Sequence, residues 1–394
     1  MDHLLKKDHP LARHHGIFRR QISLFEGTAL IVSGTIGAGV LGIPYAIAKV
    51  GVGVGAALII FLGLLMMGLN LLIGEISVRT RERLQLVGLA RKYLGKWGER
   101  IMTLLVYVLL FGVMVVYIIG EGQTLATLLG GSPFAWSTIF FLTVSALIFI
   151  GMRTIKTIEL VLSFGLLAVV LGITAWSAPH VRFDHFLYAD MAQLLFPYGI
   201  ILFAYHGTTT IPEAHSLLLR RDVTFKRAIV LSGFVTMLVY LLFAFIVVGV
   251  TGAETTEIAT IGLGRAVGPA IFLLGNLFAV IAMGTSALMV GLSLRDSLRW
   301  DYRLPTWSAA ALVCGVPFLI FLAGLRQFIV AIDIIGGVFV SFEMLLLLLL
   351  YWRAKQLGHW QSGRYRLHHT ALVGAVLLFA LLVGVVYSIW KLFI

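Results

Sequence analysis

Charge is scarce in this chain. Only 12% of its 394 residues are Asp, Glu, Lys or Arg, while 60% are hydrophobic and the mean hydropathy is +1.00. A soluble domain of this length needs far more polar cover, so the solvent for most of the chain is lipid. Cysteine is nearly absent. Cys314 stands alone in an apolar stretch, which excludes an intramolecular disulfide, leaves no thiolate metal site and reads as a small hydrophobe. The sequence also lacks a HExxH helix, any converging set of His, Asp and Glu, and any loop long enough to hold a soluble catalytic domain. It therefore does not read as an enzyme. The net charge of +12 would suggest nucleic acid in a soluble protein, but here no nucleic-acid partner is expected, because the basic residues are distributed by side of a membrane.

Apolar runs are what the chain has in abundance. Runs of about 18 residues or more, enough to cross roughly 30 Å of hydrocarbon at 1.5 Å per residue, fall at 23–48, 53–78, 101–129, 134–151, 157–178, 190–218, 228–251, 267–293, 307–324, 327–350 and 370–392. These are spans 1 to 11. An odd number puts the termini on opposite sides. With the N-terminus in the cytoplasm, the cytoplasmic segments hold 25 of the 30 lysines and arginines; the far side holds only Lys49, Arg182, Arg265, Arg326 and Lys391. That asymmetry predicts a multi-pass inner-membrane protein with a cytoplasmic basic tail over 1–22 and its C-terminus on the opposite side. The tail's Lys6, Lys7, Arg13, Arg19 and Arg20 are not followed by the separate apolar core of a cleavable signal. Residues 80–98 (TRERLQLVGLARKYLGKWG) interleave Leu84, Val87, Leu94 and Trp97 with basic residues and read as a helix lying in the cytoplasmic interface. No motif specifies an oligomeric state.

Two spans carry interruptions. Span 1 holds SGTIGAGVLGIPYA over 33–46, with Gly34, Gly37, Gly39 and Gly42 ahead of Pro44; span 6 holds FAYHGTTTIP over 203–212. Such densities of glycine and proline favour unwound segments, although glycines of the small-xxx-small kind also serve helix packing. The interruptions lie five spans apart, the pairing of an inverted repeat that builds its site where two discontinuous helices meet near the midplane. At a break, free N–H groups and the positive dipole end suit a carboxylate, while free carbonyls suit an ammonium or a cation. A zwitterion fits both, and an amino acid is the simplest zwitterion in a cell.

The strings GTIGAGVLGIPYA (34–46), LFAYHGTTTIPEA (202–214) and TSALMVGLSLRDSL (285–298) resemble the first, sixth and eighth helices of the amino acid/auxin permease family, within the amino acid, polyamine and organocation superfamily. The resemblance covers nearly the whole chain. It implies an all-α polytopic fold of about 11 transmembrane helices: a five-plus-five inverted repeat like that of the bacterial leucine transporter, with discontinuous helices 1 and 6, plus an extra helix 11. The transporter core then runs over 23–350, with repeats at 23–178 and 190–350, followed by a cytoplasmic loop and span 11 over 351–394. The implied function is secondary active transport of a zwitterionic, neutral amino acid by alternating access, coupled to Na⁺ or H⁺. A proton-coupled aromatic amino acid permease, or a non-transporting amino acid sensor on the same fold, are the alternatives.

Carried over residue by residue, the resemblance implies a substrate carboxylate on the amides of Gly37, Ala38 and Gly39. The ammonium falls near the carbonyls of Ser33, Gly34, Phe203, Ala204 and Tyr205, and the side chains of Tyr117, Tyr205 and His206 shape the pocket. His206 and Tyr205 equally suit plain hydrogen bonding to neighbouring helices. No cofactor is implied beyond a coupling cation. A Na⁺ ion would take Ser33 and Ile36 of span 1 with Ala282, Thr285 and Ser286 of span 8, an oxygen-only set suited to a hard cation, although Ser and Thr in membrane helices often bond their own backbone. Proton-coupled aromatic amino acid permeases show a similar threonine and serine pair. The span 5 lysine of some proton-coupled relatives has no counterpart here beyond Lys156 at the span's edge. For a proton, the intramembrane carboxylates Glu121 and Glu343 are the first candidates. Asp333 suits a proton or a salt link, and Glu75, four residues before Arg79, reads as a structural pair.

Overall fold

The computed structural model describes residues 23–80, 84–150, 155–218, 222–357, 367 and 370–391, and these contain no strand. The tail over 1–22 lies outside the described residues, as do Arg153, Arg220, Arg221, Arg364 and Arg366.

Eleven spans follow the apolar runs. Span 1 is a pair of half-helices, Leu24–Thr35 and Gly39–Val50, bent by 64° at the break. A capping box starts it: the amide of Glu26 donates to Ser23 Oγ at 3.2 Å and the amide of Ser23 to Glu26 Oε2 at 2.6 Å. Span 2 is Val52–Thr80, span 4 Pro133–Ile150 and span 5 Ile155–Ser177. Span 6 is again two pieces, Tyr198–Tyr205 and Thr210–Leu217. Span 7 is Asp222–Thr251, span 8 Pro269–Asp301, span 9 Thr306–Leu322 and span 11 Thr370–Lys391. Span 10 runs from Phe328 to Gln356 through one π-helical stretch, Ile335–Val340. Among the described residues, seven helices are each long and apolar enough to cross a membrane, and the bent pair makes an eighth. Span 5, the two eight-residue halves of span 6 and the 17-residue span 9 complete the set. Leu104, Leu319 and Phe379 stay largely exposed, as side chains facing hydrocarbon should.

Two features depart from the runs read in the sequence, and a third agrees with them. Leu86–Leu129 is two helices rather than one, so the predicted interfacial segment is a helix of its own that meets span 3 at a kink at Gly95. Its φ of 72° is a left-handed conformation that glycine adopts freely. Span 6 begins at Tyr198 rather than near 190, because Pro179 and Pro197 and the Asp190 cap on the amide of Ala192 hold the preceding stretch in short 3₁₀ turns. A further helix, Ala259–Val267, sits between spans 7 and 8 and packs on span 8.

Helices gain little from the hydrophobic effect on each other inside lipid, so close backbone approach and hydrogen bonds must hold them. Gly39 lies against Ala204 and Phe203, Gly233 against Met67, and Gly336 against Gly199 and Phe203. Ser137 donates to the carbonyl of Ile118 at 2.8 Å, and Tyr198 pairs with Ser341 at 2.9 Å. Bonds of this kind average about 0.6 kcal/mol in membrane proteins. Two ion pairs close the bundle. Glu75 meets Arg79 at 2.8 Å and accepts from Tyr351 at 2.9 Å, joining span 2 to span 10. Asp333 meets Lys391 at 2.6 Å, joining span 10 to span 11.

A side chain at Gly336 would press on the Gly199 carbonyl and on Phe203 Cβ at 2.8 Å, whereas nothing lies within 4 Å of a Cβ at Gly315. Gly336→Ala is therefore expected to lower the melting temperature in detergent, with an overpacking cost of about 1–3 kcal/mol, while Gly315→Ala leaves it unchanged or raises it. Thermal unfolding of the two purified variants checks this.

Candidate functional site

The two breaks meet. Helix Leu24–Thr35 ends with Ile36 in extended backbone, φ −78° and ψ 105°, its amide on the carbonyl of Val32 at 2.8 Å. Gly37 and Ala38 turn the chain, and their carbonyls accept the amides of Val40 and Leu41 at 3.3 and 3.1 Å. The amides of the first turn of Gly39–Val50 have no acceptor within their own helix. In span 6, His206 is likewise extended after the half-helix, with φ −68° and ψ 107°. Gly207 then seats against Thr35, where a Cβ would lie 3.1 Å from Thr35 Cα. Gly34 packs on Thr210 at the start of the second half of span 6. On the other side of the breaks, Gly39 packs so closely on Ala204 that a Cβ would lie 2.6 Å from its Cα. The half-helices thus cross in contact, with open backbone ends of both signs between them.

Several residues singled out in the sequence converge here. Around Gly37 the nearest group is the hydroxyl of Tyr117, 3.9 Å from the position of a Cβ, so span 3 supplies a polar tip over the first-turn amides. Ala38 and Ile36 are buried, and Phe203 is half-buried beside Gly39. The Ser33 hydroxyl donates to the carbonyl of Leu30 at 3.0 Å.

Other carbonyls are already in use. The carbonyl of Ala204 accepts the Tyr240 hydroxyl at 2.6 Å, and that of Phe203 accepts the amide of His206 at 3.1 Å. Tyr205 turns its side chain away toward span 2, where its hydroxyl donates to the carbonyl of Ile59 at 3.2 Å and its ring packs on Tyr240 at 4.9 Å. Tyr205 thus contributes backbone rather than a pocket wall.

His206 faces span 10. Its Nε2 lies 2.6 Å from Glu343 Oε2, and Thr208 donates to Glu343 Oε1 at 3.1 Å. Glu343 is fully buried. Glu121 is also fully buried, beside Gly284 of span 8, and neither carboxyl oxygen makes a hydrogen bond of normal geometry among the described residues.

The oxygen set that the resemblance implies for Na⁺ draws on spans 1 and 8. Thr285 donates to the carbonyls of Ile281 and Ala282 at 2.8 and 3.2 Å. Span 8 packs mainly on spans 3, 4, 5 and 9 and on Ala259–Val267; span 1 is not among its principal neighbours. Ala282 and Ser286 are half-buried on span 8.

Thr208, Thr210 and Tyr240 were not singled out in the sequence. The run of three threonines after Gly207 carried a signal for the first two, since hydroxyls beside a break can replace lost helix bonds. Tyr240 lies in an unbroken apolar helix and had none.

A profile of the tryptophan/tyrosine permease family matches residues 20–391. The chain belongs to that family. Nothing in the match singles out the amino acid/auxin permeases, whose helix motifs the sequence resembles; the shared ground is the wider superfamily and its fold. The permease is 28% identical to tyrosine-specific transport system 1 of Haemophilus influenzae, over 84% of this chain and 88% of that one. It is 27% identical to tyrosine-specific transport system 2 of the same organism, over 84% and 87%. Glutamine transporter 2 of Aliivibrio fischeri is 25% identical over 68% and 73%. The fold matches the crystal structure of MhsT in complex with L-phenylalanine at a TM-score of 0.65 and 14% identity, covering 95% of this chain and 99% of that one. The permease is a multi-pass membrane transporter of amino acids, and its family is one of transporters rather than enzymes.

Gly37 has room for a side chain that Gly39 lacks. In Gly37→Leu the new side chain occupies the space under Tyr117, so substrate affinity is expected to fall on the order of 100-fold, about 2.8 kcal/mol, with normal membrane insertion and melting. Gly39→Ala instead lowers the melting temperature. Binding by scintillation proximity and melting of both variants in detergent separate the two.

Proposed function

We propose that this permease carries an aromatic amino acid across the inner membrane by alternating access, driven by a cation gradient, with its N-terminus in the cytoplasm. One observation carries the site: Gly207 seated on Thr35, which brings the open ends of both broken helices together. The substrate carboxylate lies on the amides of Gly37, Ala38 and Gly39, where dipole and free donors favour an anion. Its ammonium lies toward the carbonyls of Ser33, Gly34 and Phe203. The Ala204 carbonyl also holds the Tyr240 hydroxyl and that of Phe203 the amide of His206, which leaves each one lone pair for substrate.

The aromatic side chain follows from the family and from the two tyrosine-specific relatives. Tyr117 and Phe203 suit it, one with a hydroxyl beside Gly37 and the other with a ring edge beside Gly39. Alternating access suits a site built where two interrupted helices cross, because each half can move with a different neighbour. On one side of the breaks, Gly39 and Gly42 lock the second half of span 1 to spans 6 and 10. The lysine and arginine distribution makes that side the outer one.

Uptake of labelled tyrosine, tryptophan, phenylalanine and glutamine into proteoliposomes, with Na⁺ and pH gradients imposed separately, tests the reading. Accumulation of at least one aromatic amino acid under one of the gradients is expected. Accumulation of glutamine alone would replace the aromatic substrate, and no accumulation under either gradient would contradict transport.

A further inference from the structure

We propose that His206 and Glu343 together form the proton-binding site that couples a pH gradient to the movement of span 6, an inference that rests on the transport reading above. The two side chains come from elements 137 residues apart and meet at 2.6 Å at the break itself. Both carboxylate oxygens of Glu343 are held by residues on either side of Gly207: Oε2 by His206 and Oε1 by Thr208. Gly207 in turn rests on Thr35. A carboxylate on span 10 is thereby tied to the segment that joins the two halves of span 6 and contacts the break in span 1.

The pair has one buried and one accessible member. The Glu343 side chain has no exposure, whereas that of His206 retains 18%. Water and protons therefore reach Glu343 by way of the imidazole. With one proton the pair is neutral overall, either as imidazolium and carboxylate or as imidazole and carboxylic acid. Without it the pair carries one negative charge. A net charge sealed in the centre of a membrane protein is expensive, so closure around the site favours the protonated pair. Opening to water on the low-proton side lets the proton leave through His206. Each cycle takes one proton from the water on one side and returns it to the other, and no further reactant is required.

The other titratable groups on the elements around Glu343 have their own positions, and among the described residues all but one have partners: Glu121 of span 3 lies buried beside Gly284 of span 8. Glu75 of span 2 is occupied by Arg79 and by Tyr351, about two turns along span 10 from Glu343. Asp333 is paired with Lys391 of span 11 at the opposite end of span 10. Lys355 donates to Thr370 at 2.8 Å. Tyr205 and Tyr240 are committed to the carbonyls of Ile59 and Ala204. Tyr117 of span 3 stands over Gly37. Among the described residues, the hydrogen-bond partners of Glu343 are His206 and Thr208.

Glu343→Gln imitates the neutral state and cannot exchange a proton; His206→Gln removes the route. In proteoliposomes with the membrane potential clamped at zero, one proton per substrate lets a gradient of one pH unit support about tenfold accumulation. The native permease is expected to reach it. Glu343→Gln is expected to stay near equal concentrations on both sides while still exchanging labelled for unlabelled substrate. A second readout needs no substrate: in reconstituted native protein, infrared difference spectra between acid and alkaline buffer show a carboxyl or imidazolium band that both variants lose. Native-like tenfold accumulation by Glu343→Gln, or the same band in both variants, would overturn the proposal. A native protein that shows the band but accumulates no amino acid would overturn the transport reading alone.

Discussion

Everything at the centre of this permease depends on one constraint: a backbone group freed inside hydrocarbon must find a partner, at a cost of several kcal/mol if it does not. Spans 1 and 6 are both interrupted at mid-depth, and each interruption lies against the other. Gly207 on Thr35 and Gly34 on Thr210 allow the approach, because any side chain at those glycines would collide with the opposite strand of the crossing. Tyr240 closes part of the remaining account by donating to Ala204. The groups left free are amides on one side and carbonyls on the other, and those ends are the site proposed for a zwitterion.

The same constraint separates the continuous helices from the interrupted ones. Spans 4, 5, 8 and 11 are continuous helices with no interior proline, and their backbones are satisfied within the helix. Span 10 is intermediate. Its π-helical stretch, Ile335–Val340, packs through Gly336 and Gly337 on Gly199 and Ser388, so it follows the first half of span 6 closely. Single π turns inside longer helices recur at functional sites, and this one lies a short distance before Glu343, which reaches back to the break in span 6. Span 10 therefore touches both the packing and the polar side of the crossing.

Much of this was legible in the sequence, and the limit is set by range. The apolar runs marked eleven spans, and the glycine clusters at Gly34–Gly39 and Gly207 marked both breaks, because the signals are local. The helix over the interfacial segment was legible too, and Gly95, with its left-handed backbone, sets it off from span 3. The late start of span 6 was missed because residues 190–197 are apolar enough to pass as helix. Side-chain directions were the harder part. Tyr205 looks like a pocket residue until its hydroxyl is found on Ile59. Glu343 stood out as a carboxylate in a membrane and His206 as a pocket candidate, but no local pattern pairs positions 137 residues apart. The Thr285 hydroxyl donates to carbonyls of its own helix, a bond that spacing alone does not show.

A structure of the permease with a bound aromatic amino acid tests the central claim most directly. The substrate carboxylate is predicted within hydrogen-bond distance of the amides of Gly37, Ala38 and Gly39, its ammonium toward Ser33, Gly34 and Phe203, and its ring beside Tyr117. Density for the amino acid away from the crossing of spans 1 and 6, with those amides facing only protein or water, would contradict the account.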